Sequence, residues 1–233
     1  MAKIVSKKAG LRRSKTIPEE YLAIIEENTE ALQIDPSQWA QLVVTARQAS
    51  TSFGYLPKKQ YFIKPLDYER RFNQPAPYSD FIRLTGASAD PQPDRPIKHY
   101  LDKEGRVCLI EYFYQGQVTY EIVYTYEPNR VTEYKKHHKE ENLEKKNVLL
   151  LKEGKPEHFI SYSEHFVRRS TFTLLNDTVA ETQNSVLYID LENKHCSESK
   201  SLDRFTYSAE GNLTKVGCYT ENGEEIMTYE IEG

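Results

Sequence analysis

The sequence predicts an α+β fold that is mainly β, with an N-terminal helical hairpin followed by a large antiparallel β-meander that is curled or partly closed. Three observations lead to this prediction. Apolar residues recur at helical spacing before residue 50. After residue 96 they alternate with polar residues at a period of two. The chain also contains 17 tyrosines but only 2 methionines and 1 tryptophan, and a tyrosine ring suits the half-buried surface of a sheet.

The helical hairpin is predicted over about residues 17–49. Thr16 and Glu19 have the spacing of a capping box, with Pro18 expected in the first turn between them. Asp35-Pro36 is typical of a second helix start. We interpret Trp39, which follows at the apolar spacing of that second helix, as a packing residue rather than a platform for a ligand.

Three segments are expected along the chain. They are a basic arm and helical hairpin at 1–53, a proline-rich connecting region with short strands at 54–96, and an antiparallel sheet domain at 97–233. Lysines and arginines precede any acidic residue in the arm, which is typical of a solvated terminus or of an anchor for an anionic partner. Closely spaced prolines and short apolar runs at 61–63 and 81–84 mark the connecting region.

The clearest strand signals come after residue 106. Residues 107–114 are apolar on both alternating sets, which predicts a strand covered on both faces, and 118–126 alternate cleanly. Gln115-Gly116-Gln117 should join these two strands as a hairpin. Asn222-Gly223 predicts a final hairpin with a type I′ turn between strands at 213–219 and 226–231. Further strands are expected near 130–136, 147–152, 158–167, 170–175 and 185–191, with an exposed hairpin tip or a solvated helical turn within 135–146 and a polar loop at 195–200.

Two segments share a local pattern. Each has a tyrosine, a short polar turn containing glycine, and an apolar residue that opens a strand: Tyr100 to Val107, running on to Tyr112, and Tyr207 to Leu213, running on to Tyr219. This pattern resembles the YD repeats of Rhs-type proteins, and it is also similar to small bacterial immunity and antitoxin proteins built from hairpins punctuated by tyrosine and glycine. The resemblance implies a sheet of tandem hairpins that curls on itself. It implies no functional residues.

Composition points to a soluble, cytoplasmic protein. The net charge is −4, which argues against a general affinity for nucleic acid, apart from the basic arm. The three cysteines are odd in number and irregularly spaced, which favours reduced thiols over a disulfide framework. No apolar run reaches the length of a signal sequence or of a membrane span, so no membrane association is expected.

No motif predicts catalysis, a metal site or a cofactor, and we expect none of the three. His137-His138 and His195-Cys196 are adjacent pairs whose side chains should point to opposite faces of a strand, so neither pair chelates easily. Cys196 is the thiol most expected to be exposed, whereas Cys108 and Cys218 should pack inside strands. Glu111 and Glu164 align with apolar residues, and a salt bridge or a strand edge explains both more simply than acid–base chemistry.

The candidate binding residues are the five tyrosines of two neighbouring strands, Tyr112, Tyr114, Tyr120, Tyr124 and Tyr126. Such a ladder indicates either cross-strand packing or a tyrosine-rich interface. We therefore expect a non-enzymatic protein-binding module, of the bacterial immunity or antitoxin type, whose partner is another protein. The alternative is a β-barrel-like protein or enzyme that binds an apolar small molecule, since the strand at 107–114 could line a cavity.

Overall fold

The structure is a computed structural model that describes residues 17–56, 97–176, 178–193, 195–211 and 213–230. The basic arm and nearly all of the predicted connecting region, including the apolar runs at 61–63 and 81–84, lie outside the described residues. In the described ranges the chain forms two helices and twelve strands. They are α1 (Glu19–Leu32), α2 (Pro36–Ala49), β1 (Ser52–Leu56), β2 (Ile97–Leu101), β3 (Val107–Tyr114), β4 (Gln117–Glu127), β5 (Arg130–His137), β6 (Lys145–Lys152), β7 (Lys155–Ser163), β8 (Phe166–Leu175), β9 (Thr178–Asp190), β10 (His195–Tyr207), β11 (Leu213–Thr220) and β12 (Glu225–Glu230).

The strands form one antiparallel sheet in which spatial order follows chain order from β1 to β12. Each strand pairs only with its sequence neighbours, so the sheet is a continuous meander that does not close. This confirms the predicted α+β class, the N-terminal helical hairpin and the large antiparallel meander. None of the described helices is long and apolar enough to cross a membrane.

The two helices begin differently. Asp35 caps α2, because its carboxylate accepts a hydrogen bond of 2.7 Å from the backbone N–H of Ser37. Pro36 occupies the first helical position, as predicted. Helix α1 begins after Pro18, which is its N-cap and makes no side-chain cap bond, so the expectation that Pro18 lies inside the first turn is wrong by one residue. The predicted capping partner Thr16 lies outside the described residues.

Hairpin turns set the register of the meander. Gln115 and Gly116 both have positive φ, 51° and 77°, which gives the predicted hairpin between β3 and β4 the backbone of a type I′ turn. The type I′ prediction for Asn222-Gly223 is wrong. In that described turn only Gly223 has a positive φ, at 81°. The connection from β11 to β12 is longer than two residues and is closed by the backbone bond from Thr220 to the carbonyl of Glu224.

Two further strand predictions need correction. Residues 195–200, predicted as a polar loop, form the first half of β10 and pair with β9. Residues 198–200 are exposed and residues 195–197 are partly buried, which is why a strand can carry serine, glutamate and lysine there. The predicted strand at 158–167 is divided by a turn at 164–165, which separates β7 from β8. Within 135–146, residues 138–144 form the connection between β5 and β6, which confirms the hairpin tip and not the helical turn.

Both faces of the sheet carry buried apolar residues, and different elements contribute to each face. The inner face carries the largest apolar cluster, which includes Ile110, Ile122, Phe159 and Val216, extends from β2 to β11 and contains no helix residue. The helical hairpin covers the opposite face, where α2 packs on β3 and β4 and α1 packs on β6 and β7. Residues 107–111 are all buried, at the odd-numbered and at the even-numbered positions, so the prediction that this strand is covered on both faces is confirmed.

A row of buried polar side chains crosses the inner face next to the apolar cluster. Glu133 accepts hydrogen bonds from the Tyr124 hydroxyl at 2.6 Å and from the Asn147 amide at 2.8 Å. Farther along the sheet, Asn184 donates to Asp203 at 2.9 Å and accepts from the hydroxyl of Ser170 at 2.7 Å. Because these groups are almost fully buried, the bonds between them offset part of the cost of removing them from water.

Candidate binding site: the cleft beside the helical hairpin

The five predicted tyrosines do not form one exposed surface. Tyr124 is buried and bonded to Glu133. Tyr126 is partly buried and donates from its hydroxyl to the carbonyl of Val107 at 2.7 Å. Burial raises the pKa of the Tyr126 phenol far above its usual range, although the nearby Arg106 opposes that shift. These two tyrosines therefore contribute to packing of the inner face.

The other three predicted tyrosines lie closer to solvent. Tyr112 and Tyr120 are cross-strand partners with ring centroids 6.4 Å apart, and Tyr120 also meets the ring of His137 at 4.5 Å. Both tyrosines are half-buried. Tyr114, at the end of β3, is 65% exposed. Binding by these tyrosines stays a prediction, and the exposed part of the ladder is limited to the strand ends.

Glu111 and Glu121 form a buried carboxylate pair beneath α2. They lie opposite each other on β3 and β4 and are 3% and 4% exposed. Arg47 of α2 bonds to both carboxylates. Tyr100 donates to Glu111 at 2.7 Å, while Trp39 donates to Glu121 at 3.2 Å.

The remaining contact of this pair is His138, whose Nε2 lies 3.4 Å from Glu121. All four carboxylate oxygens therefore have a protein partner. A general acid or base needs an oxygen that can reach a substrate, so we interpret this cluster as the joint that fixes α2 to the sheet. The salt-bridge interpretation of Glu111 is confirmed, whereas Glu164 lies in the exposed turn before β8.

The histidine and cysteine candidates are dispersed. His137 and His138 contact different partners, Tyr120 and Glu121. Within the described ranges, no three histidine, cysteine or acidic residues are grouped so that they could hold a metal ion. Cys108 and Cys218 are buried as predicted, and burial raises the pKa of Cys108 to about 11. Cys196 lies in β10 and packs against the apolar cluster under α1, so it is half-buried rather than in an exposed loop.

An open cleft lies where the turn between α1 and α2 meets the sheet. Its volume is about 670 Å³, within the range of about 300–1,000 Å³ that proteins use for ligands. The backbone of Leu143 donates to the carbonyl of Leu32 at 2.9 Å, which ties the connection between β5 and β6 to the end of α1. We call this feature the hairpin cleft, and its walls and floor include Gln33, Ile34, Gln38, Gln41, Leu42, Tyr134, Leu143 and Lys146.

The walls of the hairpin cleft present amide groups above an apolar floor. The exposed side chains of Gln33 and Gln38 form no hydrogen bond with any described residue. The amide nitrogen of Gln41 donates a hydrogen bond of 3.2 Å to the hydroxyl of Thr45. Ile34 and Leu42 are only partly buried, so they contribute apolar surface to the lining of the cleft. An amide can both donate and accept, as the backbone of a bound segment requires.

Lys146 is the charged group of the hairpin cleft. It lies on β6 opposite Tyr134, and its Nζ is 5.6 Å from the centre of that ring. Burial lowers the pKa of Lys146, and the positive charge of Arg130 adds to the effect. No acidic group of the described residues forms an ion pair with Lys146. The cleft therefore holds a partly desolvated cation that has no counter-ion among the described residues.

Sequence reasoning did not identify these residues as a site. Lys146 stands at the end of the mixed charge run, where it is indistinguishable from Lys145 by composition. Gln33, Gln38 and Gln41 lie on polar positions of the helical hairpin. The one available signal was the cluster of three glutamines around the predicted turn at Asp35-Pro36.

Comparisons with protein-family models, with curated proteins and with solved structures find no match for this chain.

Proposed function

We propose that this protein is a non-enzymatic protein-binding module and that its partner occupies the hairpin cleft. The single observation that carries the proposal is the composition of that cleft. Gln33 and Gln38, whose amides bond to none of the described residues, lie in one open concavity with apolar side chains and with Lys146, which has no ion pair among those residues. Interfaces use the same combination of an apolar centre with polar groups at its edge. An extended segment of another protein matches it, because its backbone can bond to Gln33 and Gln38 while its side chains cover Ile34 and Leu42.

The joint between α2 and the sheet supports this proposal. Arg47 and Trp39 fix α2 on the buried carboxylates of β3 and β4, so the wall of the cleft is held rigidly before a partner arrives. A preorganised wall reduces the entropy lost on binding. Within the proposal, the wider class is that of bacterial immunity and antitoxin proteins, which the two YD-like hairpin segments suggest. A protein of that class acts by occupying another protein rather than by catalysis.

Selection from a phage-displayed library of random peptides tests the proposal without a known partner. Peptides that bind the wild-type protein should bind the Gln38→Trp variant at least about tenfold more weakly, because the indole would fill the cleft. Gln48→Trp is the matched control, since Gln48 is also exposed on α2 but does not line the cleft. Peptides that bind Gln38→Trp as well as the wild type, or that respond instead to Tyr114→Ala, would contradict the cleft as the binding surface.

A further inference from the structure

The positive charge of the hairpin cleft is not balanced within the described residues. Lys146 has no ionic partner there, and the same is true of Arg130, whose charge adds to the effect of burial in lowering the pKa of Lys146. A half-buried ammonium gains less hydration than one on the surface, so an anion that enters the cleft has less water to displace. The site is therefore prepared for a negative charge supplied from outside the described residues.

Three acidic groups on the elements around the cleft are engaged elsewhere. Glu144, two residues away, pairs with Lys135 at 2.6 Å. Glu27 of α1 accepts from Tyr162 and from Arg169, both at 2.6 Å. Asp35, in the turn that borders the cleft, accepts the cap bonds of Ser37. Moving any of these carboxylates to Lys146 would break a contact that positions a helix or a hairpin.

The surroundings of Lys146 favour a carboxylate over other anions. The amides of Gln33 and Gln38 can donate to an oxygen of a carboxylate while Lys146 supplies the charge. A single ammonium with neutral amides matches one negative charge. We propose that the bound segment presents an internal aspartate or glutamate side chain to Lys146, flanked by apolar residues that cover Ile34 and Leu42. This inference rests on the proposed function, because it names the chemistry of the segment that fills the hairpin cleft.

Synthetic copies of the selected peptides test the inference when they are acetylated at the N-terminus and amidated at the C-terminus, so that only side chains carry carboxylates. Replacing the acidic residue by its amide should weaken binding to the wild-type protein at least about tenfold. The Lys146→Met variant should bind the acidic peptide more weakly than the wild type does, by a similar factor. Its affinity for the amide peptide should be nearly the same as that of the wild type. Lys146→Arg keeps the charge and should retain most of the affinity. A phosphoserine copy should bind no more tightly than the acidic peptide.

Lys145→Met is the matched control, because Lys145 is the adjacent lysine on β6 and points to the opposite face of the sheet. It should bind both peptides as the wild type does. If peptides bind in a manner sensitive to Gln38→Trp but carry no acidic residue, prefer phosphoserine, or ignore Lys146→Met, the inference fails while the proposed function stands. If no selected peptide is sensitive to Gln38→Trp, the proposed function fails and the inference falls with it.

Discussion

Removing Arg47 should loosen the helical hairpin from the sheet. Arg47→Met removes the cation from the carboxylates of Glu111 and Glu121, which are 3% and 4% exposed in the wild-type protein. Their side chains start from Cβ atoms about 5 Å apart, as for any directly opposed pair on antiparallel strands. Breaking a buried ion pair by removing one partner costs about 3–5 kcal/mol. The Arg47 side chain is itself 46% exposed, and solvent screening lowers the expected cost to about 2 kcal/mol.

Chemical and thermal unfolding measure this cost. For a chain of this size, about 2 kcal/mol corresponds to a fall of about 4–8 °C in the melting temperature. Arg204→Met is the matched control. Arg204 pairs with Glu181 at 2.9 Å, and the two side chains are 55% and 35% exposed, so the loss of Arg204 should cost less than about 1 kcal/mol.

A second substitution separates the loss of charge pairing from the loss of packing. Glu111→Gln in the Arg47→Met background removes one of the two buried charges, so it should recover part of the lost stability. An Arg47→Met variant that is no less stable than Arg204→Met would refute the joint between α2 and the sheet. So would a double variant that is less stable than Arg47→Met alone.

Three further predictions concern the buried polar groups. Burial lowers the pKa of His99 from 6.5 to about 3. The unfolded chain therefore binds a proton that the folded one does not between those values, and stability falls as the pH drops through this window. The wild-type protein should lose about 3 kcal/mol more unfolding free energy between pH 7 and pH 4 than the His99→Gln variant does. Urea unfolding that shows the same loss in the wild type and in His99→Gln would contradict this prediction. Ser161→Ala should be neutral in urea unfolding, because its buried hydroxyl has no hydrogen-bond partner among the described residues. Ser170→Ala should cost about 1–3 kcal/mol through the loss of its bond to Asn184. Equal costs for the two variants would show that the hydroxyl of Ser161 does form a hydrogen bond. Tyr124→Phe should lower the unfolding free energy by about 1–3 kcal/mol, because it removes one of the two hydrogen bonds to buried Glu133. A loss of unfolding free energy smaller than that of Tyr120→Phe would contradict this prediction.

The periodicity of the sequence was sufficient to predict most of the fold. The change from helical spacing to alternation separates the hairpin from the sheet, and Gln115-Gly116 fixes the first clear β-hairpin. The failures have local causes. Residues 195–200 carry only one apolar side chain, Cys196, although their partners on β9 include the buried residues Leu187 and Ile189, so composition gives no strand signal there. The turn at 164–165 interrupts an apolar run that continues in both flanking strands.

The candidate site was beyond the reach of the sequence for a different reason. Alternation predicts that Tyr120, Tyr124 and Tyr126 share a face, but it does not predict whether that face is buried, which depends on tertiary packing. The hairpin cleft depends on where the turn between α1 and α2 meets β5 and β6, contacts that join residues about 100 positions apart. Charge composition alone does not distinguish Lys146, on the helix face, from Lys145 on the inner face.

Mapping a selected peptide onto the protein by two-dimensional amide NMR tests the central claim most directly, because it locates the binding surface without any substitution. The account predicts that the largest chemical-shift changes fall on the side-chain amides of Gln33 and Gln38 and on the backbone near Lys146. Changes concentrated instead at Tyr114 and Tyr120, with the hairpin cleft unaffected, would contradict it and would place the working surface on the exposed end of the tyrosine ladder.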